Sequence, residues 1–168
     1  VIEVANAAGK ELFGIDDVVK FFFRPYLYLE DDKIKASKYS ITDVRRGIAA
    51  ALTERPNIAL AVNGEDLTTP QATPLRKRIK RNQHPQRSGD IYVAQDAYWF
   101  NFGKGPIAAM HGSPWNYDTH VPIIFAGAGI NDDIVNRLVH PADVAPTLAA
   151  FLGMTAPASA SGTVLPEA

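Results

Sequence analysis

His111 heads the stretch of this sequence with the most chemistry in it, MHGSPWNYDTHVPIIFAGAGI from Met110 to Ile130. An imidazole is the commonest protein metal ligand. The Gly112-Ser113-Pro114 that follows lets the backbone turn sharply while aiming that imidazole in one direction. Asp118 and His120 come shortly after. An Asp-x-His pair converges on a metal only where the backbone is extended enough to bring both side chains to one face. Roles behind a ligand or within the turn suit Ser113, Asp118 and His120 better than ligation does, and a carboxylate at Asp118 has the chemistry to orient the His111 imidazole or a backbone turn. On residue type alone, a single turn histidine is more often a surface or hydrogen-bonded group than a ligand.

The elements that must position this stretch are legible on either side of it. Val121 to Phe125 is an apolar run too short for a helix, closed by Gly127 and Gly129, and it reads as a strand buried on both faces. Beyond it, Asn131-Asp132-Asp133 turns the chain and Val135 to Val139 reads as extended. Asp143 then precedes Val144, Leu148, Phe151 and Leu152 at helical spacing, with Pro146 in the first turn and Gly153 as the stop. This predicts an amphipathic helix packed on a large sheet, and a loose tail over 155–168.

Upstream, Ile41, Val44, Ile48 and Leu52 recur at helical spacing behind a Ser40/Asp43 capping box, which makes this the most secure helix. Phe21 to Glu30 reads as a strand with Leu27 and Leu29 on one face and Pro25 at an edge or strand-start position. Ile58 to Val62 is a short strand closed by Asn63-Gly64, and Ile91 to Ala94 alternates as another. Thr73-Pro74 caps a helix with Leu75 and Ile79 inward. Asp16 and Asp17 suggest the start of a further short helix, and Val1 to Gly14 is weakly helical. Over 21–100 this predicts an α+β module, a small antiparallel sheet with helices on one face. A Gly-Lys-Gly-Pro linker at 103–106 marks the boundary between a module at 1–105 and a segment at 106–168.

Composition sets the limits. The chain has 168 residues, 46% of them hydrophobic and 21% charged, enough apolar content for a real core and too much for a disordered segment. It contains no cysteine, which excludes disulfides and thiolate metal sites. No apolar run approaches the roughly 20 residues of a membrane-spanning helix, so no membrane partner is expected. Net charge is −1, giving no overall pull toward nucleic acid. Arg76, Lys77, Arg78, Lys80, Arg81 and Arg87 do form a basic patch against Asp90 alone. They fill the outward faces of a short helix without interleaved aromatics, so no specific nucleic-acid partner is expected.

His111-Gly112-Ser113-Pro114, Tyr117-Asp118-Thr119-His120-Val121-Pro122 and the glycine-ended run resemble the last metal-ligand segment of the alkaline phosphatase superfamily. The branch most resembled is that of the bacterial alkaline phosphatases similar to type I phosphodiesterases and nucleotide pyrophosphatases. Arg87-Ser88-Gly89-Asp90 followed by a strand resembles the close of that family's crown or lid module. The resemblance implies that His111 ligates one of two zinc ions. It implies no catalytic nucleophile in this chain: a Thr or Ser forming the covalent phospho-enzyme, and the remaining ligands, lie before the matching segment in the family. The chain is thus expected to be the C-terminal part of a longer, periplasmic or secreted phosphoric ester hydrolase. It would pair a lid module with a strand and helix of the α/β core, and its partners would be a phosphate ester and the N-terminal remainder of the same polypeptide. A non-catalytic α+β binding module is the alternative.

Overall fold

Helix α3 (Ile41–Thr53) starts where its cap demands: Ser40 is extended and its hydroxyl oxygen accepts the Asp43 N–H at 3.1 Å. Its stripe of Val44, Ile48 and Leu52 is fully buried. The computed structural model describes residues 1–68, 73–100, 106 and 109–167. The chain separates into two compact units, Val1–Thr119 and His120–Ala168. Of the expected 103–106 linker, only Pro106 is among the described residues.

In the first unit, α1 (Ile2–Phe13) ends at Gly14, whose φ of 68° supplies the left-handed C-cap. The short helix expected at Asp16-Asp17 is instead a turn, with Asp17 at φ 46°, because the chain must reverse there to enter β1 (Val19–Phe23). The Phe21 to Glu30 stretch is not one strand. It is a hairpin, in which Arg24 and Pro25 separate β1 from β2 (Tyr26–Leu29) and β1 takes the sheet edge. After β2 come a short α2 (Asp31–Lys35) and α3, then β3 (Ile58–Asn63), α4 (Pro74–Arg81) and β4 (Ile91–Gln95). The antiparallel sheet has the order β1-β2-β4-β3, so the last strand in sequence lies inside it.

That placement explains the burial of β4. A half-buried strand would alternate, yet Ile91, Tyr92, Val93 and Ala94 are all buried. Leu27, Leu29, Ala61, Ile91 and Val93 pack with α1 and α3 on one face. Tyr26, Leu60, Val62, Tyr92 and Ala94 pack with Leu67, Leu75 and Ile79 on the other. The sheet therefore carries helices on both faces, α4 lying opposite α1 and α3. Asp90 fastens the layers: its carboxylate accepts the Leu29 N–H at 2.8 Å and pairs with the Arg45 guanidinium of α3.

In the second unit, Val121 to Phe125 forms no strand, and Val121 and Ile124 are exposed at 54% and 81%. A parallel-type strand buried on both faces needs neighbouring strands to take its N–H and C=O groups, and among the described residues none pairs with this run. Val135 to Val139 likewise joins no ladder. A 3-10 turn at Pro141–Asp143 leads into α6 (Val144–Phe151), with α5 being the single turn Asn116–Thr119 of the first unit. The face of α6 read as inward is only partly covered, since Leu148, Phe151 and Leu152 are exposed while Pro146, Thr147 and Ala149 are buried. What α6 does cover is the tail, which is not loose. Asp143 accepts the Thr163 N–H at 2.8 Å, Thr147 accepts the Leu165 N–H at 2.9 Å, and Arg137 pairs with Glu167. Short polar side chains made this docking hard to foresee, because it runs through hydrogen bonds rather than an apolar stripe.

Candidate functional site

The turn from His111 to Asp118 is held from within and from the sheet. Gly112 adopts φ 91°, a conformation that side chains rarely tolerate. The Asp118 carboxylate accepts the Ser113 N–H at 2.8 Å, closing the loop on itself. Hydrogen bonds from the Ser113 side chain and then its N–H, with a smaller contribution from the nearby His111, hold that carboxyl below the ordinary aspartate range. Asp118 thus stays ionised under any mild condition and keeps a negative group beside the imidazole.

Three further contacts tie the turn to β4, to α4 and to the segment after β4. The Trp115 indole N–H donates to Gln95 O, at the end of β4, at 2.8 Å. The Arg78 guanidinium of α4 donates to Pro114 O at 3.1 Å. The Tyr98 N–H donates to the Tyr117 hydroxyl at 3.0 Å, and the two rings stack with centroids 4.9 Å apart. Sequence reasoning missed Arg78 and Trp115. Arg78 sits within the basic run, and nothing in its local spacing marks it as reaching a carbonyl 36 residues away.

His111, Ser113 and Asp118 come together at one cleft of the first unit, with a volume of about 870 Å³. Phe22 and Phe23 of β1 and Tyr98 and Trp99 after β4 give it an aromatic lining as well. Tyr92 also lines it. Burial, and next the neighbouring Tyr26, push that phenol up to about 12, so Tyr92 presents a neutral hydroxyl rather than a base. His120 opens the second unit and is exposed. Among the described residues no three His, Asp or Glu side chains are grouped so as to hold a metal ion. His111 offers one imidazole donor, and the described residues do not complete a zinc site around it. No described helix is long and apolar enough to cross a membrane.

No protein-family model matches the chain. Individual proteins do. It is 29% identical to alkaline phosphatase PafA of Elizabethkingia meningoseptica over 96% of this chain and 30% of that one. It is 31% identical to a protein named calcium-transporting ATPase from Myroides odoratus, over 93% of this chain and 29% of that one. A crystal structure of a PafA mutant superposes with a TM-score of 0.85 at 26% identity, covering 99% of this chain and 32% of that structure. The chain is similar to alkaline phosphatases over nearly its whole length.

The likeness to PafA spans almost the whole chain and so takes in both compact units. The chain accounts for 30% of the length of PafA.

Proposed function

We propose that the polypeptide to which these residues belong hydrolyses phosphoric esters, and that this chain contributes His111 as one metal ligand together with the module that covers the substrate. The observation that carries this reading is the His111 turn, cross-linked to β4 and α4 and opening on a cleft, in a chain similar to alkaline phosphatases over nearly all its length.

The finer readings rest on the resemblance of the HGSP and YDTHVP motifs. They are a pair of zinc ions, a covalent phospho-enzyme formed by a Thr or Ser elsewhere, a phosphodiesterase or nucleotide pyrophosphatase type of specificity, and a periplasmic or secreted location. On the same reading, residues 1–105 serve as the lid and 106–168 as part of the metal-bearing core. Zinc supplies Lewis acidity at phosphate oxygens when bound. This chain's own contribution is narrower. The Asp118 to Ser113 hydrogen bond fixes the turn, and Arg78 and Trp115 fix the turn against α4 and β4, so the imidazole is presented in one orientation. Ser113, Asp118 and His120 act around the ligand rather than as further ligands.

In the longer protein, His111→Ala is expected to remove one metal equivalent and most turnover of p-nitrophenyl phosphate and bis-p-nitrophenyl phosphate. In the 168-residue chain alone, neither ester should turn over and no zinc should survive dialysis, because a stable zinc site needs three or four protein ligands. His111-dependent hydrolysis by the isolated chain would overturn the reading.

A further inference from the structure

We infer that the aromatic lining of the cleft binds a planar ring on the alcohol half of the ester, so that the preferred substrates are phosphate esters of aryl-bearing alcohols. This rests on the hydrolase reading above and extends it from the reaction to the leaving group.

The first observation is composition and exposure. Large aromatics left open to solvent together are unusual unless they meet something. Here Phe23, Tyr98 and Trp99 are exposed at 73%, 85% and 56%, and all three line the same cleft as His111. At about 870 Å³ the cleft is within the size range of small-molecule sites.

The second observation is strain. Tyr98 has φ 66°, a left-handed backbone that is an outlier for a bulky residue. It is held there by the Tyr117 hydroxyl on its N–H and by the stacked Tyr117 ring. Such a conformation persists only where surrounding contacts enforce it, and such positions concentrate at ligand sites. The consequence is that one face of the Tyr98 ring is covered by Tyr117 while the residue stays open to solvent, leaving a prepared surface for offset stacking.

The third is the mixed lining of the cleft. The nitrogen and oxygen groups of His111, Ser113 and Asp118 line the same cleft as the rings of Phe22, Phe23, Tyr98 and Trp99. An ester with its phosphoryl group at the polar side chains places its alcohol in a cleft that these rings also line.

Two measurements test this. In the first, 2-naphthol is titrated into the 168-residue chain. Saturable binding weakened about tenfold by Trp99→Ala, the upper range for loss of one aromatic contact, is the expected result, and absence of saturable binding overturns the inference. In the second, kcat/KM of the longer enzyme is compared for benzyl phosphate and propyl phosphate, whose leaving alcohols are similarly weak acids. Trp99→Ala and Tyr98→Asn, the latter chosen because Asn tolerates a left-handed backbone, should lower the benzyl value about tenfold. The propyl value should stay within about twofold, less than one aromatic contact is worth. An equal loss for both esters, or no loss for either, overturns the inference. Activity that survives His111→Ala would instead count against the metal-ligand role of His111 alone, and naphthol binding would still decide the cleft.

Discussion

The two units solve the problem of apolar side chains differently. Val1–Thr119 closes on itself: its sheet is covered on both faces, and Leu27, Ile48, Leu52, Ile79 and Ile91 are fully buried. In His120–Ala168 the large side chains Ile124, Ile134, Leu138, Leu152 and Met154 are exposed, and order comes from polar fastenings around Asp143 and Thr147. One unit is stabilised mainly by burial, the other mainly by directed hydrogen bonds. These respond to different perturbations, and an exposed apolar surface of this kind is what a protein uses to meet something else.

The largest effect should come from shortening a buried side chain. Leu52→Ala is expected to destabilise the first unit by about 2–5 kcal/mol, the transfer and cavity cost of a fully buried leucine. Leu148→Ala, at a 43% exposed position of α6, should stay within about 0.5 kcal/mol in the same chain. Urea unfolding of each variant measures both. Equal costs would mean that the second unit has a packed apolar face after all, and the contrast would break.

An intermediate effect is expected at Gly162, where an added Cβ would lie 2.2 Å from Ala142 O, a backbone atom that cannot swing aside. Gly162→Ala should cost about 1–3 kcal/mol of overpacking and release the tail locally. Faster amide hydrogen exchange at Thr163 and Leu165, with unchanged exchange in β4, would sharpen the distinction between the units. Unchanged exchange at Thr163 would show that the tail does not depend on that approach.

The smallest effect is a response to acid. Hydrogen bonds from the Thr163 and His140 N–H groups hold the Asp143 carboxyl below the ordinary aspartate value, and the Arg137 pairing holds Glu167 at about 2. Both folded-state values are depressed, so their stabilisation is fully present above the ordinary carboxylate range and is lost as pH falls through the depressed values. Between neutral pH and about 5, above the unfolded carboxylate values, the second unit should not change. From about 4 downward Thr163 exchange protection should decline before that of β4. Loss of β4 protection first would reverse the assignment of polar fastenings to the second unit.

How much of this could be read from the sequence follows the same division. Ser40, Val44, Ile48 and Leu52 declared α3 because cap and periodicity are local signals, and Thr73-Pro74 declared α4 in the same way. The hairpin at Arg24-Pro25 and the central position of β4 were less accessible, since strand order is a property of distant pairings such as Leu27 with Ile91. The Val121 to Phe125 run misled in an instructive way. Its composition specifies a strand, but composition cannot supply the neighbours that would pair with it. At the site, the HGSP motif drew attention to His111, and the Ser113 to Asp118 closure lies within the same short loop. Arg78 and Trp115 were out of reach because their partners, Pro114 O and Gln95 O, are backbone atoms to which no residue type points.

The interior position of β4 also sets an order of events during synthesis. A chain emerging from its N-terminus presents β1, β2 and β3 long before β4, yet β2 and β3 are joined only through it. Until residue Gln95 is available, two inward-facing strand edges have no mate, and unpaired edges are templates for pairing with another chain. The His111 turn is fastened to the last residue of that same strand. Completion of the sheet and anchoring of the imidazole are therefore consecutive steps in the growing chain, and a nascent protein that stalls before the first cannot reach the second.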